Sequence, residues 1–421
     1  MGFLTVLRRS SLRWSGTAML GLTLYYALLW MPAPSGFGGD SAFIAARALA
    51  PLPGLIAATA AWEAGRLRVG GIWRGTPARG RHRVAGDALT GLACAVLLAD
   101  LLAIGLASHQ VGAWPRAEDT PLLAAMVATQ AGATAVGFGL GCALPRFVAV
   151  PLCATAFTLW VMIPATLETP WVRYLTGLPT DAATVTDSLA PSATFAPVLV
   201  AAGLITAVLA ASAPLRLTGL RALAAACCLA AAAVPARALV ADAGYEMPTV
   251  PRAGAEVCSE SSPTICVPKE YEKSLPRLRA AAGEALPRMA AAGMDTPVSL
   301  RLVSLDAELA PGTWRLRNQE PHTALSATDL VATAPVPIQR YDDCPGLPDD
   351  QPRTSPGPAT AWLRLAAGIP EKTVRTWHGA STLRQVDQVR TRSRTDQLAW
   401  LEQQLRAVAS CDPRVHAEAR R

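Results

Sequence analysis

The sequence predicts a membrane all-α bundle of about seven transmembrane helices, followed by a small α+β extracytoplasmic domain. Three observations carry this reading. Apolar residues make up 51% of the 421 residues and charged residues only 16%, with a mean hydropathy of +0.28, whereas soluble proteins carry about 25% charged residues. The apolar residues concentrate before residue 240, and most Asp and Glu lie after it. Four of the nine cysteines, Cys258, Cys266, Cys344 and Cys411, fall in that more polar C-terminal part. Such a composition argues against an ordinary cytosolic enzyme and against a disordered or fibrous chain.

A membrane-crossing helix needs about 20 apolar residues. Seven stretches qualify: 15–31, 41–62, 84–107, 121–144, 147–165, 196–213 and 222–240. Helices are expected because a backbone in lipid must satisfy its own hydrogen bonds. The second stretch is the weakest, interrupted by Arg47, Pro51 and Pro53. The first follows a basic start, yet it exceeds the roughly 7–15 residues of a signal-peptide core and is read as a span.

Arginine sets the expected orientation. Twelve arginines, among them Arg66, Arg68, Arg74 and Arg79, lie on one set of connections, and four, Arg47 among them, on the other. The positive-inside rule then puts the N-terminus in the cytoplasm. Seven crossings leave everything past about residue 241 outside, so the chain is expected in the plasma membrane as a multi-pass protein. The net charge is +7, but only Lys269, Lys273 and Lys372 are lysine, and the arginines sit between apolar runs. No soluble basic stripe results, and no nucleic-acid partner is expected.

The chain therefore divides into a transmembrane domain (1–240), a Pro/Gly/Ser-rich linker (241–257), an α+β domain (258–412) and a charged, mobile tail (413–421). Within the domain, 268–293 reads as a helix bent near Pro276 and Pro287. Stretches 298–305, 313–317 and 330–339 read as strands, and 359–367 and 381–410 as helices. In the last, Leu398, Leu401, Leu405 and Val408 form a core stripe. Four cysteines in an oxidising compartment suggest two disulfides. Three connectivities are open, and the favoured one joins Cys258 to Cys266 as a local loop and Cys344 to Cys411 across the domain. Cys94, Cys142, Cys153, Cys227 and Cys228 lie in spans and read as small hydrophobes.

Charge inside a span is costly and points to function. Arg47 and Asp100 are placed at similar depth in oppositely directed spans and are expected to pair in the outer leaflet. The alternative is that Arg47 snorkels to the surface while Asp100 finds a backbone or water partner. Gly137 and Gly141 form a GxxxG pair suited to close helix packing. No catalytic residue, metal site or cofactor is expected. The chain lacks a Gly-Lys dipeptide and so a Walker A loop, no histidine precedes a glutamate, and Gly379-Ala-Ser381-Thr-Leu383 lacks the last glycine of a nucleophile elbow. His322, His378, Asp342 and Asp343 read as surface residues rather than metal ligands.

The basic start, the hydrophobic helical unit and the missing ATPase motif together resemble the type-2 permeases of ABC transporters. Ala61-Trp62-Glu63-Ala-Gly-Arg66-Leu-Arg68 looks like the cytoplasmic exit segment of permease-like proteins from high-GC Gram-positive bacteria. Gly137-Phe-Gly-Leu-Gly141-Cys-Ala-Leu-Pro145-Arg146, followed by Pro151-Leu152, is similar to their hairpin between spans four and five. Ile265-Cys266-Val-Pro268-Lys-Glu-Tyr271 resembles the start of the extracytoplasmic domain that some of them carry. The resemblance implies a homo- or heterodimer in membrane lipid, working with a separate ABC ATPase. It also implies a docking loop carrying Arg66, Arg68, Trp73, Arg74 and Arg79. Such permeases have six spans and both ends inside, whereas this chain is expected to add a seventh span and an outside domain, which implies an accessory or sensing subunit on the same scaffold.

Overall fold

Runs of Ala, Leu, Val and Gly without regular polar alternation leave little choice but buried or lipid-facing helix. A computed structural model describes residues 11–29, 35–71, 80–180, 184–213, 217–338, 344 and 355–419. Among the described residues of the first part there are eight α-helices: α1 (Leu12–Leu29), α2 (Gly38–Leu49), α3 (Leu52–Val69), α4 (Arg81–Val111), α5 (Thr120–Ala143), α6 (Arg146–Met162), α7 (Pro191–Ser212) and α8 (Thr218–Val240). Five of them, α4 to α8, are long and apolar enough to cross a membrane, and α2 with α3 makes a sixth if the pair counts as one span bent by 45°. The seven expected spans are thus not all found among the described residues. The bend falls at Ala50–Pro51, where proline removes a backbone donor and crowds the preceding turn. Much of the stretch expected as the first span, 15–31, lies in α1, whose apolar character is diluted by two Thr, two Tyr and Arg13 just before that stretch.

The middle of this unit is α3. Thirteen of its 18 residues are buried, and it packs against α1, α4, α5 and α6. A helix buried on all sides needs small residues wherever backbones meet. Alanine or glycine occupies positions 54, 57, 58, 60, 61, 64 and 65 of α3. Gly137 and Gly141 of α5 lie directly on it: a Cβ on Gly137 would collide with the Ala57 carbonyl, and one on Gly141 with the Ala61 carbonyl. On the α6 side, a Cβ at Gly54 would stand 2.9 Å from the Ala154 carbonyl. Further out, α5 packs on α7 and α7 on α8, while α4 packs on α1 and α2. Of the five crossing-length helices, α8 is the least buried.

Two short strands, β1 (Asp187–Leu189) and β2 (Thr249–Pro251), pair with each other. The rest of the chain forms a mixed sheet in the order β3 (Glu256–Cys258), β4 (Thr264–Pro268), β5 (Ser299–Arg301), β6 (Thr313–Arg315). The β3–β4 pair is antiparallel, and β4–β5 and β5–β6 are parallel. Seven helices accompany it: α9 (Leu275–Ala291), α10 (Ala324–Thr333), α11 (Gly357–Ala366), α12 (Glu371–Trp377), α13 (Ala380–Arg390), α14 (Arg394–Ala409) and α15 (Pro413–Ala419). The chain clusters into two units, Met1–Ala183 with Ser188–Val250 and Thr184–Asp187 with Pro251–Arg421.

Several sequence expectations are corrected here. The strand expected at 330–339 begins as helix α10: Thr323 caps it, its Oγ1 accepting from Ser326 N at 3.1 Å, and a short Leu-Val-Ala run does not by itself distinguish strand from buried helix. The helix expected over 381–410 is two helices, restarted by Ser393, whose Oγ accepts from Asp396 N at 3.2 Å. Pro276 lies in the first turn of α9, where a missing N–H costs nothing, so no break occurs there. The expected mobile tail contains α15, with His416 buried and Gln404 Nε2 donating to the Ala419 carbonyl at 2.7 Å. The expected linker is pinned: the Tyr174 hydroxyl lies 2.7 Å from the carbonyls of Gly244 and Glu246, and Arg173 Nη1 donates to the Tyr245 carbonyl at 3.1 Å.

Replacing Gly141 with Val should destabilise the helical unit by about 1–3 kcal/mol, because the backbone of α3 has nowhere to retreat. Gly105→Ala, where an added methyl meets nothing within 4 Å, should be neutral or stabilising. Thermal unfolding of the purified protein in detergent compares the two.

Candidate functional site

Three groups of polar residues stand out against this apolar background. The first is inside the helical unit. Asp100 of α4 is buried and accepts a hydrogen bond from Gln130 Nε2 of α5 at 2.9 Å. Arg47 of α2 donates to the Thr180 carbonyl at 3.5 Å, with its guanidinium 5.4 Å from the Phe43 ring. The expected Arg47–Asp100 pair is therefore not formed. Asp100 faces α5, and a neutral amide answers it. Gln130 went unnoticed in the sequence because a lone glutamine in an Ala-rich run carries no periodic signal.

The second group lies where α3 leaves the apolar core. Glu63 is 1% exposed. Its Oε1 accepts from Ser11 Oγ at 2.6 Å, and its Oε2 pairs with Arg66 at 2.8 Å. Arg68 Nη1 donates to the Ala143 carbonyl at 3.0 Å, satisfying the last turn of α5. The Arg146 guanidinium sits 5.0 Å over the Trp62 ring. Of the expected docking residues, Arg66 and Arg68 are thus tied partly to the bundle, while Trp73, Arg74 and Arg79 lie outside the described residues. Glu63, a buried anion, was the residue missed. Its signal was a carboxylate at the end of an apolar run with an arginine three residues on.

The third group belongs to the second unit. Asp329 of α10 and Arg364 of α11 form a two-pronged ion pair, Nε to Oδ1 at 2.6 Å and Nη2 to Oδ2 at 3.0 Å. Arg364 Nη1 lies 2.7 Å from His378 Nε2, and its guanidinium stacks 4.8 Å over Trp377. Because Arg is always a donor, His378 Nε2 is the acceptor and Nδ1 carries the proton. Burial, and then the Arg364 charge, push the His378 imidazole below its ordinary value of 6.5, with Asp329 opposing. Arg317, two residues beyond β6, is close enough to feel both Arg364 and Asp329, and burial together with Arg364 lowers its affinity for its proton. His378 was visible in the sequence as a candidate; its partners, scattered over some 60 residues, were not.

Elsewhere in this unit, Cys258–Cys266 joins opposed residues of β3 and β4, and Cys344–Cys411 closes a separation of 67 residues. Arg252 and Glu270 make a buried ion pair at 2.7 Å. Asp187 accepts from the hydroxyls of Thr184 and Thr186, both at 2.7 Å, and of Ser304 at 2.5 Å. Among the described residues, one cluster has metal-ligand spacing, Glu256 with Cys258 and Cys266, and its two sulfurs are consumed in the disulfide. Asp342 and Asp343 lie outside the described residues.

Residues 265–411 match the model of DUF7224, a domain of unknown function. The match runs from β4 to Cys411 and so covers most of the second unit but none of the helices of the first. No curated protein matches the chain, and no solved structure does.

Removing the long-range disulfide with Cys344→Ser or Cys411→Ser should cost about 4 kcal/mol of second-unit stability on a chain-entropy estimate, read as protease resistance of that unit with temperature. The His378 environment sets a pH dependence. Its folded-state affinity for a proton is lowered, so the unfolded chain binds the proton first as pH falls below about 6.5, and stability drops with it. Stability should rise again toward pH 7.5, and His378→Gln should flatten this profile without changing the plateau by more than about 1 kcal/mol.

Proposed function

We propose that the chain is an integral membrane subunit of an ABC-type transport system, a permease or permease-like accessory subunit that works with a separate ATPase as a homo- or heterodimer in the plasma membrane. The observation that carries the reading is α3. Its polar end presents Trp62, Glu63, Arg66 and Arg68 together with Arg146 of α6, and Arg66 is 45% exposed. Its apolar length packs against α1, α4, α5 and α6, and meets α5 and α6 at near-backbone distance. A push delivered at that end by a nucleotide-driven partner travels into four neighbouring helices, because close-packed elements shift as bodies rather than absorb strain.

In this reading the Arg66/Arg68 end faces the cytoplasm and the second unit lies outside. The arginine bias supports the side, and two disulfides suit an oxidising compartment. Segment 184–187, from the connection between α6 and α7, clusters with Pro251–Arg421. Two crossing-length helices, α7 and α8, separate these pieces, and two crossings return a chain to the same side. That same segment favours a second reading, a membrane-anchored ligand-binding or sensing protein without transport activity.

Affinity purification from native membranes distinguishes them. The transport reading expects an ATPase to co-purify and to be lost on charge reversal of Arg66, Arg68, Arg74 and Arg79 together. Purification without any ATPase sinks it. Membrane-impermeant maleimide should label Cys344 and Cys411 in intact cells only after reduction; labelling restricted to broken cells would reverse the assigned side.

A further inference from the structure

Asp100 of α4 and Gln130 of α5 are both at least nine-tenths buried, and Gln130 Nε2 donates to Asp100 Oδ1 at 2.9 Å. That bond leaves two acceptors over. Gln130 Oε1 is shielded from solvent and has no hydrogen-bond partner. Asp100 Oδ2 receives no donor either. An amide oxygen stands about 2.3 Å from its nitrogen, so Oε1 lies within about 5 Å of Asp100 Oδ1. The hydroxyls on either side of Gln130 are bonded elsewhere. Thr129 Oγ1 donates to the Ala125 carbonyl at 2.9 Å, and Thr134 Oγ1 to the Gln130 carbonyl at 2.8 Å. Two unanswered acceptors this close together are unfavourable in an apolar interior.

Asp100 also has no ion pair. Its helix packs on α1, α2 and α3 and reaches α5 through Gln130. The charged and titratable groups of those elements are engaged elsewhere. On α1, Arg13 lies over Trp14, and Tyr25 and Tyr26 meet edge to face. On α2, Asp40 accepts from Ser35 and Arg47 donates to the Thr180 carbonyl. On α3, Glu63 holds Ser11 and Arg66, and Arg68 donates to the Ala143 carbonyl. On α5 there is no Asp, Glu, Lys, Arg, His or Tyr, and Cys142 lies about three turns from Gln130. On α4 itself, Cys94 and His109 stand six and nine residues from Asp100, with Asp87 and Arg83 further off.

A proton answers both acceptors at once. On Asp100 Oδ2 it becomes an O–H donor for Gln130 Oε1, while Gln130 Nε2 keeps its bond to Oδ1, so acid and amide close into a ring of two hydrogen bonds. Hydronium gives its proton to the carboxylate, leaving water and a neutral acid, and no electron moves. A metal cation fits less well. Calcium takes about 6–8 oxygens and magnesium about six, whereas the pair offers two and aims an N–H at the carboxylate. We propose that Asp100 and Gln130 form a proton-binding site inside the helical unit, with Asp100 carrying the proton and Gln130 holding it in place. The bound proton adds a second hydrogen bond between α4 and α5, so binding tightens that contact and release loosens it. The site does not rest on the transport reading.

The test uses the full chain in detergent, with the proton as the probe. Infrared spectra and thermal unfolding are recorded across the pH range in which the chain stays folded. The wild type should show a carboxylic-acid C=O band that is absent from Asp100→Asn. In Gln130→Met, which keeps the side-chain length and loses the ring bonds, that band should move to higher frequency. The asparagine amide reproduces the donor and acceptor of the protonated acid. Asp100→Asn should therefore match the wild type in acid and unfold up to about 3 °C higher in alkaline buffer. Exchanging sodium for choline at fixed pH should leave the band unchanged. The proposal is overturned if no band is lost in Asp100→Asn, if Gln130→Met leaves the band in place, if Asp100→Asn unfolds at a lower temperature than the wild type, or if sodium removes the band.

Discussion

The closeness of the α3 backbone to α5 and α6 is the constraint on which the helical unit depends. Lipid offers no hydrophobic reward for bringing apolar helices together, so association relies on dispersion contacts and on interhelical hydrogen bonds. Dispersion falls steeply with distance, and only positions without side-chain bulk allow the approach seen at Gly137, Gly141 and Gly54. This accounts for the composition of α3, which is nearly devoid of large residues over its middle and does not show an amphipathic stripe. A helix surrounded by protein has no outer face to mark.

Close packing also explains how the polar groups of this unit are tolerated. A buried carboxylate is affordable only when something answers it. Asp100 is answered by Gln130, and Glu63 by Ser11 and Arg66. The two solutions differ in kind. Glu63 sits where a helix emerges and recruits a full charge, whereas Asp100, deep in the apolar stretch, is met by a neutral amide. Arg47 donates to the Thr180 carbonyl and lies beside the Phe43 ring.

Hydropathy made α4 to α8 legible, since each is a single apolar run with clear ends. The first two stretches are less clear-cut: at Leu12–Leu29, Arg13 and four Thr and Tyr residues dilute the apolar run, and at 41–62 the break at Pro51 leaves a helix pair that counts as one bent span or as two helices. The GxxxG pair in α5 was readable as a packing motif, but its partner on α3 was not, because an Ala-rich helix shows small residues at every spacing. In the second unit the cysteine pairing could be favoured on parity and position. The Asp329–Arg364–His378 cluster could not, because its members come from separate helices and only tertiary folding brings them together.

The chain passes between its two units more than once. Polypeptide leaves the second unit after Asp187, runs through α7 and α8, and re-enters it at Pro251. The α7–α8 hairpin is therefore the part of the helical unit that lies between these two segments in sequence. Within the helical unit, α7 packs on α5, and α5 on α3. Each link is a small-residue contact, Gly132 against Ala201 and Gly137 against Ala57, so the chain of contacts from α3 to the hairpin is short and stiff. The Asp187 cluster ties segment 184–187 to Ser304 within the second unit. Three hydroxyl donors on a buried carboxylate fix it firmly, and a charge-assisted network of this kind resists rearrangement more than an apolar contact of equal size does.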